Sequence, residues 1–396
     1  MELTKGYKQT EVGIIPEDWK ILKLGDIGRT FGGLSGKSKG DFIDGTSPYI
    51  PFMNIMTNPI IDSNYFDYVN LKAGESQNSA IKGDLFFNGS SETPEEVGMC
   101  SVLLDDISNL YLNSFCFGFR LQKELNIDGL YLSYYFRSKE GRKLFYSMAQ
   151  GATRYNLSKA NFNQISIPVP ALREQIAIAN ALSDTDAYIT SIEKLIEKKR
   201  QIKQGAMQEL LKPKDGWVEK SLGDIAEIIM GQSPLSENYN INGVGLPLIQ
   251  GNADIKNRKT IIRNYTSQIT KKARVGDIIM SVRAPVGEIS KTTFNCCIGR
   301  GVCSIRYEND FLYHYLIYVE NKWGTYSSGS TFDSVNSSQV LGLKLYIPEI
   351  IEQIRIAETL TSIDEELTAL KEMLVKAKSI KDGMMQNLLT GKIRLI

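Results

Sequence analysis

The sequence predicts an α+β protein. Two β-rich globular domains are separated by two long antiparallel helices that form a coiled coil, and the whole is a pseudo-twofold tandem repeat. Three observations carry this reading. A helix-opening segment occurs twice, "REQIAIANAL" at residues 173–182 and "IEQIRIAETL" at 351–360, with Glu174 and Glu352 lying 178 positions apart. Downstream of each copy, apolar residues recur at alternating spacings of three and four, the signature of a heptad seam. Upstream of each copy lie short apolar runs such as "GDLFFNG" and "GDIIMSV", bounded by Gly, Asn and Ser as strands are.

Taken in order, the first domain spans 1–170. Its "DWKILKLGDI" at 18–27 recurs as "GWVEKSLGDI" at 216–225, its "IKGDLFF" at 81–87 as "RVGDIIM" at 274–280, and its "GATRYNLS" at 151–158 as "GSTFDSVN" at 329–336. A helical patch closes each globule, at 130–149 and 311–323. The first long helix lies within 171–213, framed by Pro170 and Pro213. Its seam is Leu182, Ile189, Ile192, Ile196 and Leu210, with Thr185, Lys199 and Lys203 interrupting it. The second domain spans 214–348. The second long helix lies within 349–396, and its seam is Leu360, Ile363, Leu367, Leu370, Leu374, Met384 and Leu388, broken by Lys381. The first helix must carry the chain from one globule to the next, so the second runs back and the globules are expected at opposite ends. Roughly 38 residues at about 1.5 Å each span about 57 Å, more than one turn of B-DNA at about 34–36 Å. The charge run at 193–203 reads as a solvated face.

Composition narrows the function. The chain has 396 residues, 42% hydrophobic and 23% charged, as ordinary globular proteins do. No eighteen-residue apolar run or signal-like apolar core occurs, so a cytoplasmic protein is expected. Five Cys without a CxxC pair and a single His, His314, argue against a zinc cage and against His-based catalysis. The formal net charge of +1 is low for a protein gripping a duplex alone, so any DNA would be shared with a partner.

No motif of the sequence supplies a catalytic centre. "FGGLSGKS" at 31–38 lacks the first glycine of a phosphate-binding loop and reads as a flexible loop exposing Ser35, Lys37, Ser38 and Lys39. "TNPII" at 57–61 lacks the second Pro and the aromatic of the adenine-methyltransferase Asn-Pro-Pro-Tyr motif and reads as a turn. What remains is a two-headed binder whose loops are rich in residues that read base edges and phosphates. The DNA-binding candidates are Lys37, Lys39, Asn88, Ser90, Ser91, Thr153, Arg154 and Tyr155 in the first head. In the second they are Gln232, Ser233, Gln250, Asn252, Ser281, Arg283, Ser330 and Thr331. Arg154 and Arg283 lead, because Arg makes two-point contacts to guanine or phosphate. A structural adaptor that bridges two proteins and binds no DNA is the alternative.

Four segments carry a family resemblance: "IPEDWKILKLGDI" at 15–27, "IPVPALREQIAIANAL" at 167–182, "IPEIIEQIRIAETL" at 347–360 and the ending "NLLTGKIRLI". With them the chain resembles the specificity (S) subunit of type I restriction-modification enzymes over essentially its whole length. The resemblance implies that each globule is a target recognition domain reading one half of a split double-stranded DNA sequence. It implies that the helices act as a ruler and dock two methyltransferase (M) subunits, with a motor-nuclease (R) subunit as a possible further partner. S-adenosylmethionine would sit on the M subunits, and this chain would hold no cofactor, metal or active site. The sequence "FFNGSSETPEEVG" at 86–98 departs from the family pattern, which the shorter "MSVRAPVGE" at 280–288 follows more closely.

Overall fold

Short β-branched and aromatic runs pair into sheets in both halves of the chain, as seen in a computed structural model that describes residues 6–72, 74–148, 155–320 and 334–396. The first half builds an antiparallel sheet in the order Gly28–Gly32, Cys116–Leu121, Leu85–Asn88, Cys100–Val102. The second half repeats that order with Glu227–Met230, Val302–Arg306, Ile278–Ser281 and Ile289–Lys291, and extends it by two short strands. A smaller sheet accompanies each, around Ser47–Ile50 in the first half and Leu246–Ile249 in the second. Helices Gly129–Arg137 and Lys139–Tyr146 supply the first core with Phe136 and Phe145, which meet Phe87 and Phe162 ring to ring. Helix Phe311–Val319 does the same for the second, packing Phe311 and Tyr315 against Trp217.

The repeated Gly-Asp pair sets each sheet's central strand. Gly83 and Gly276 take φ of 91° and 89°, a left-handed turn that side-chain-bearing residues resist. The next residue's carboxylate then accepts the N–H three positions back, Ile81 for Asp84 and Arg274 for Asp277, both at 2.9 Å. Each carboxylate also receives a two-point arginine, Arg120 on Asp84 at 2.8 and 2.7 Å and Arg306 on Asp277 at 2.9 and 2.8 Å. One ion-paired turn is thus built twice.

The chain forms two units, Met1–Ile192 with Met373–Ile396, and Glu193–Glu372. The division cuts through the long helices instead of falling at their ends. Helix Leu172–Leu210 gives its first half to the first unit and the rest to the second, and helix Ile350–Leu388 does the reverse. Both are shorter than 171–213 and 349–396. The second stops at Leu388 because Gly391, with φ of 70°, turns the chain away.

The repeated Glu-Gln at the helix openings has a structural cause. Gln175 donates to the Pro170 carbonyl at 2.9 Å and accepts the Asp128 N–H at 2.8 Å. Gln353 likewise donates to the Pro348 carbonyl at 2.9 Å and accepts from the Tyr307 hydroxyl at 2.9 Å. Each glutamine ties the first turn of its helix to the globule beside it. Glu174 is buried and receives Arg394 at 2.7 and 2.8 Å, and Arg394 also holds Asp18 at 2.9 and 2.7 Å. That guanidinium holds the Asp18 carboxyl below the usual carboxylate range. The last residues of the chain are thereby fastened onto the opening of the first unit.

All twelve seam residues are buried or half-buried. The polar interruptions are paired. In the first unit Lys381 meets Asp186 at 2.5 Å, and Thr185 donates to the Met384 sulfur at 3.5 Å. In the second unit Lys203 meets Asp364 at 2.5 Å, and Lys199 meets Glu366. Within each unit one index rises as the other falls, so the helix sections run antiparallel. Asp186 and Asp364 are 178 positions apart, as are Lys203 and Lys381, so one pair is made twice with the helices exchanging roles. The run at 193–203 is therefore not a wholly solvated face.

Candidate nucleic-acid interface

In the second unit, Ser233, Gln250 and Arg283 line one recess of about 560 Å³ together with Tyr239 and Arg300. The turn at 299–301 shapes it. A Cβ on Gly301 would lie 2.1 Å from the Gln250 carbonyl oxygen, so a glycine is required for this close approach. Ser233 accepts the Arg300 N–H at 3.2 Å, and Gln250 donates to the Tyr239 hydroxyl at 2.7 Å. Among the described residues neither Arg283 nor Arg300 has a carboxylate partner, and both are exposed. Two free guanidiniums and a carboxamide around one recess can donate to guanine or phosphate acceptors and pair with a base edge. Gln232 is exposed on the same segment.

The structure corrects several sequence expectations, because residue type does not reveal burial. Ser281 is buried. It donates to the Pro285 carbonyl at 2.6 Å and accepts the Glu288 N–H at 2.9 Å, so it braces the loop that presents Arg283. Asn88 is its counterpart at the end of the equivalent strand and is also buried. It donates to the Glu96 carbonyl at 2.9 Å and accepts the Met99 N–H at 2.6 Å. Ser91 is spent on Glu96 at 2.7 Å, and Asn252 on Glu288. Lys37 has a side chain only 5% exposed, lies 2.5 Å from Glu75 and donates to the Asn70 carbonyl at 2.8 Å. With Lys37 foremost among its donors, Glu75 has its carboxyl lowered to about 2. The glycine segment is therefore not a flexible loop exposing Lys37.

Lys39 is exposed, Ser90 is half-exposed in the two-residue strand Ser90–Ser91, and Tyr155 pairs with that strand while packing on the core. Thr153, Arg154, Ser330 and Thr331 lie outside the described residues. The long loop after Asn88 is anchored by Arg142, which donates to the Glu95 carbonyl at 2.8 Å and to Val97. Burial pulls the Arg142 pKa down to about 10. Sequence reasoning missed Arg300 and Tyr239. The available signal was an Arg between two glycines immediately before a strand.

A family model described as the type I restriction modification DNA specificity domain matches residues 16–204 and again 214–377. The putative type I restriction enzyme MjaX specificity subunit of Methanocaldococcus jannaschii is 31% identical over 428 residues, covering 99% of this chain and 97% of that one. The StySPI specificity subunit of Salmonella potsdam is 21% identical, covering 96% and 90%. Among solved structures, the type I restriction-modification S subunit from M. genitalium matches with a TM-score of 0.63 at 16% identity, covering 98% of each chain. The HsdS subunit from Thermoanaerobacter tengcongensis matches at 0.50 and 24%, covering 96% and 98%. The solved structures support the fold.

Proposed function

We infer the working of this chain from its kinship: it belongs to the type I restriction-modification DNA specificity subunits. It is the DNA sequence-specificity subunit of such a complex, a family that is generally non-catalytic and that assembles with other subunits. In our reading, each head reads one half of a bipartite duplex target, and the paired helices form a coiled coil that sets the spacing. Two M subunits dock on those helices and bring S-adenosylmethionine, with R subunits as further partners, in the cytoplasm. This chain then needs no cofactor of its own. The observation that carries the reading is the recess holding Gln250, Arg283 and Arg300, built on a sheet order that both heads share. Among the described residues no helix is long and apolar enough to cross a membrane.

The test is genome-wide mapping of adenine methylation in cells expressing this chain with its methyltransferase, against cells lacking this chain alone. The expected result is a split motif, two short half-sites around a fixed gap, present only with the chain. No difference despite a stable complex would favour the adaptor alternative.

A further inference from the structure

The turn that shapes the recess of the second head has a counterpart in the first with different side chains. The Gly299 N–H meets the Ile249 carbonyl at 2.8 Å and the Val282 N–H meets the Gly301 carbonyl at 2.9 Å. In the first head the Asn113 N–H meets the Ile50 carbonyl at 3.2 Å and the Gly89 N–H meets the Phe115 carbonyl at 3.2 Å. These bonds place Asn113, Ser114 and Phe115 where the second head has Gly299, Arg300 and Gly301. By the same match Pro51 stands for Gln250. The second head offers a carboxamide and a guanidinium here, whereas the first offers a proline, the small exposed hydroxyl of Ser114 and an aromatic ring.

Phe115 is 61% exposed, and Met53, two residues beyond Pro51, is 49% exposed. The fold does not need that ring outside, but it fixes the backbone beneath it. The Phe115 N–H donates to the Asn113 side chain at 2.9 Å, and buried Asn113 donates in turn to the Ile50 carbonyl at 3.0 Å. A phenyl ring on a braced turn loses little freedom on contact. In the major groove the apolar feature it can meet is the thymine 5-methyl group.

We propose that Phe115 is a specificity-determining residue of the first head, reading a thymine methyl from the turn that in the second head carries Arg300. The proposal rests on the DNA-specificity reading above. Its test uses the assembled complex with its methyltransferase subunits and duplexes carrying the mapped motif. Each thymine of the first half-site is replaced in turn by uracil, which removes only the methyl group. One such replacement should weaken the wild-type complex about fourfold, the worth of one buried methyl group. The same replacement should leave Phe115→Ala unaffected, while Phe115→Leu keeps part of the sensitivity. The proposal is overturned by a half-site without thymine, by uniform indifference to uracil, or by equal sensitivity in wild type and Phe115→Ala. Loss of DNA bending in Phe115→Ala without any uracil effect would also overturn it, and would assign the ring to a wedge between base steps. Absence of any split motif would instead indict the specificity reading itself.

Discussion

At the scale of the residue, the two heads share bracing groups and differ in the side chains exposed at the matched turn. Asp84 with Arg120 and Asp277 with Arg306 are the clearest braces, and the sequence displayed only half of each. The Gly-Asp repeat was visible, but the arginine partner lies many residues away, and pairing at that distance leaves no local signature. Removing Asp277 would leave Arg306 with Glu227 alone and the Ser304 hydroxyl without its acceptor. Asp277→Ala should therefore destabilise the second unit by roughly 3 kcal/mol in a denaturant titration, while an exposed control such as Lys259→Ala should be near neutral. His314 supplies a pH test. Its ring is buried with Nδ1 unpartnered and 4.0 Å from Asp364, Nε2 bonds Thr361 at 3.0 Å, and Lys203, Asp310 and Lys291 also act on it. Burial, the largest influence, lowers its pKa to about 4. The neutral ring is the folded form, so this contribution is complete above the unfolded value near 6.5 and is lost as pH falls towards 4. Thermal melts of His314→Gln should fall less steeply over that window than those of the wild type.

At the scale of the element, the long helices were legible because a heptad stripe over several turns is the strongest periodic signal a sequence carries. Their ends were less legible, since Gly391 stops the second helix well before the last residue. The lysines that seemed to spoil the seam are instead its ionic register marks. Asp364→Lys should cost the second unit about 1–2 kcal/mol by setting like charges together. The exchange Lys203→Asp with Asp364→Lys should recover most of it, and equal stability of single and double variants in melts would remove the pair's role. Two charges at Leu367 and Leu370, one buried and one half-buried, should abolish assembly with methyltransferase subunits in size-exclusion chromatography. Normal assembly of that double variant would refute the seam as the basis for docking.

At the scale of the whole molecule, duplication was readable from motif order alone, and two of the repeated motifs do the same structural job in each unit. The Glu-Gln opening ties helix to globule, and Gly-Asp sets the central strand. The interface was legible in part. Ser233, Gln250 and Arg283 lie together in the second recess, but Asn88, Ser91, Ser281 and Lys37 face inward, and the exposed ring of Phe115 does not resemble the polar residues usually sought for DNA. A net charge of +1 fits shared custody of the phosphates with partner subunits. In the proposed function each head reads its own half-site independently. The most direct measurement is the methylation motif written by complexes carrying Gln250→Ala, Arg283→Ala and Arg300→Ala together. One half-site should relax at one or more positions while the other half-site and the gap stay unchanged. Relaxation of both halves, or an unaltered motif, would contradict it.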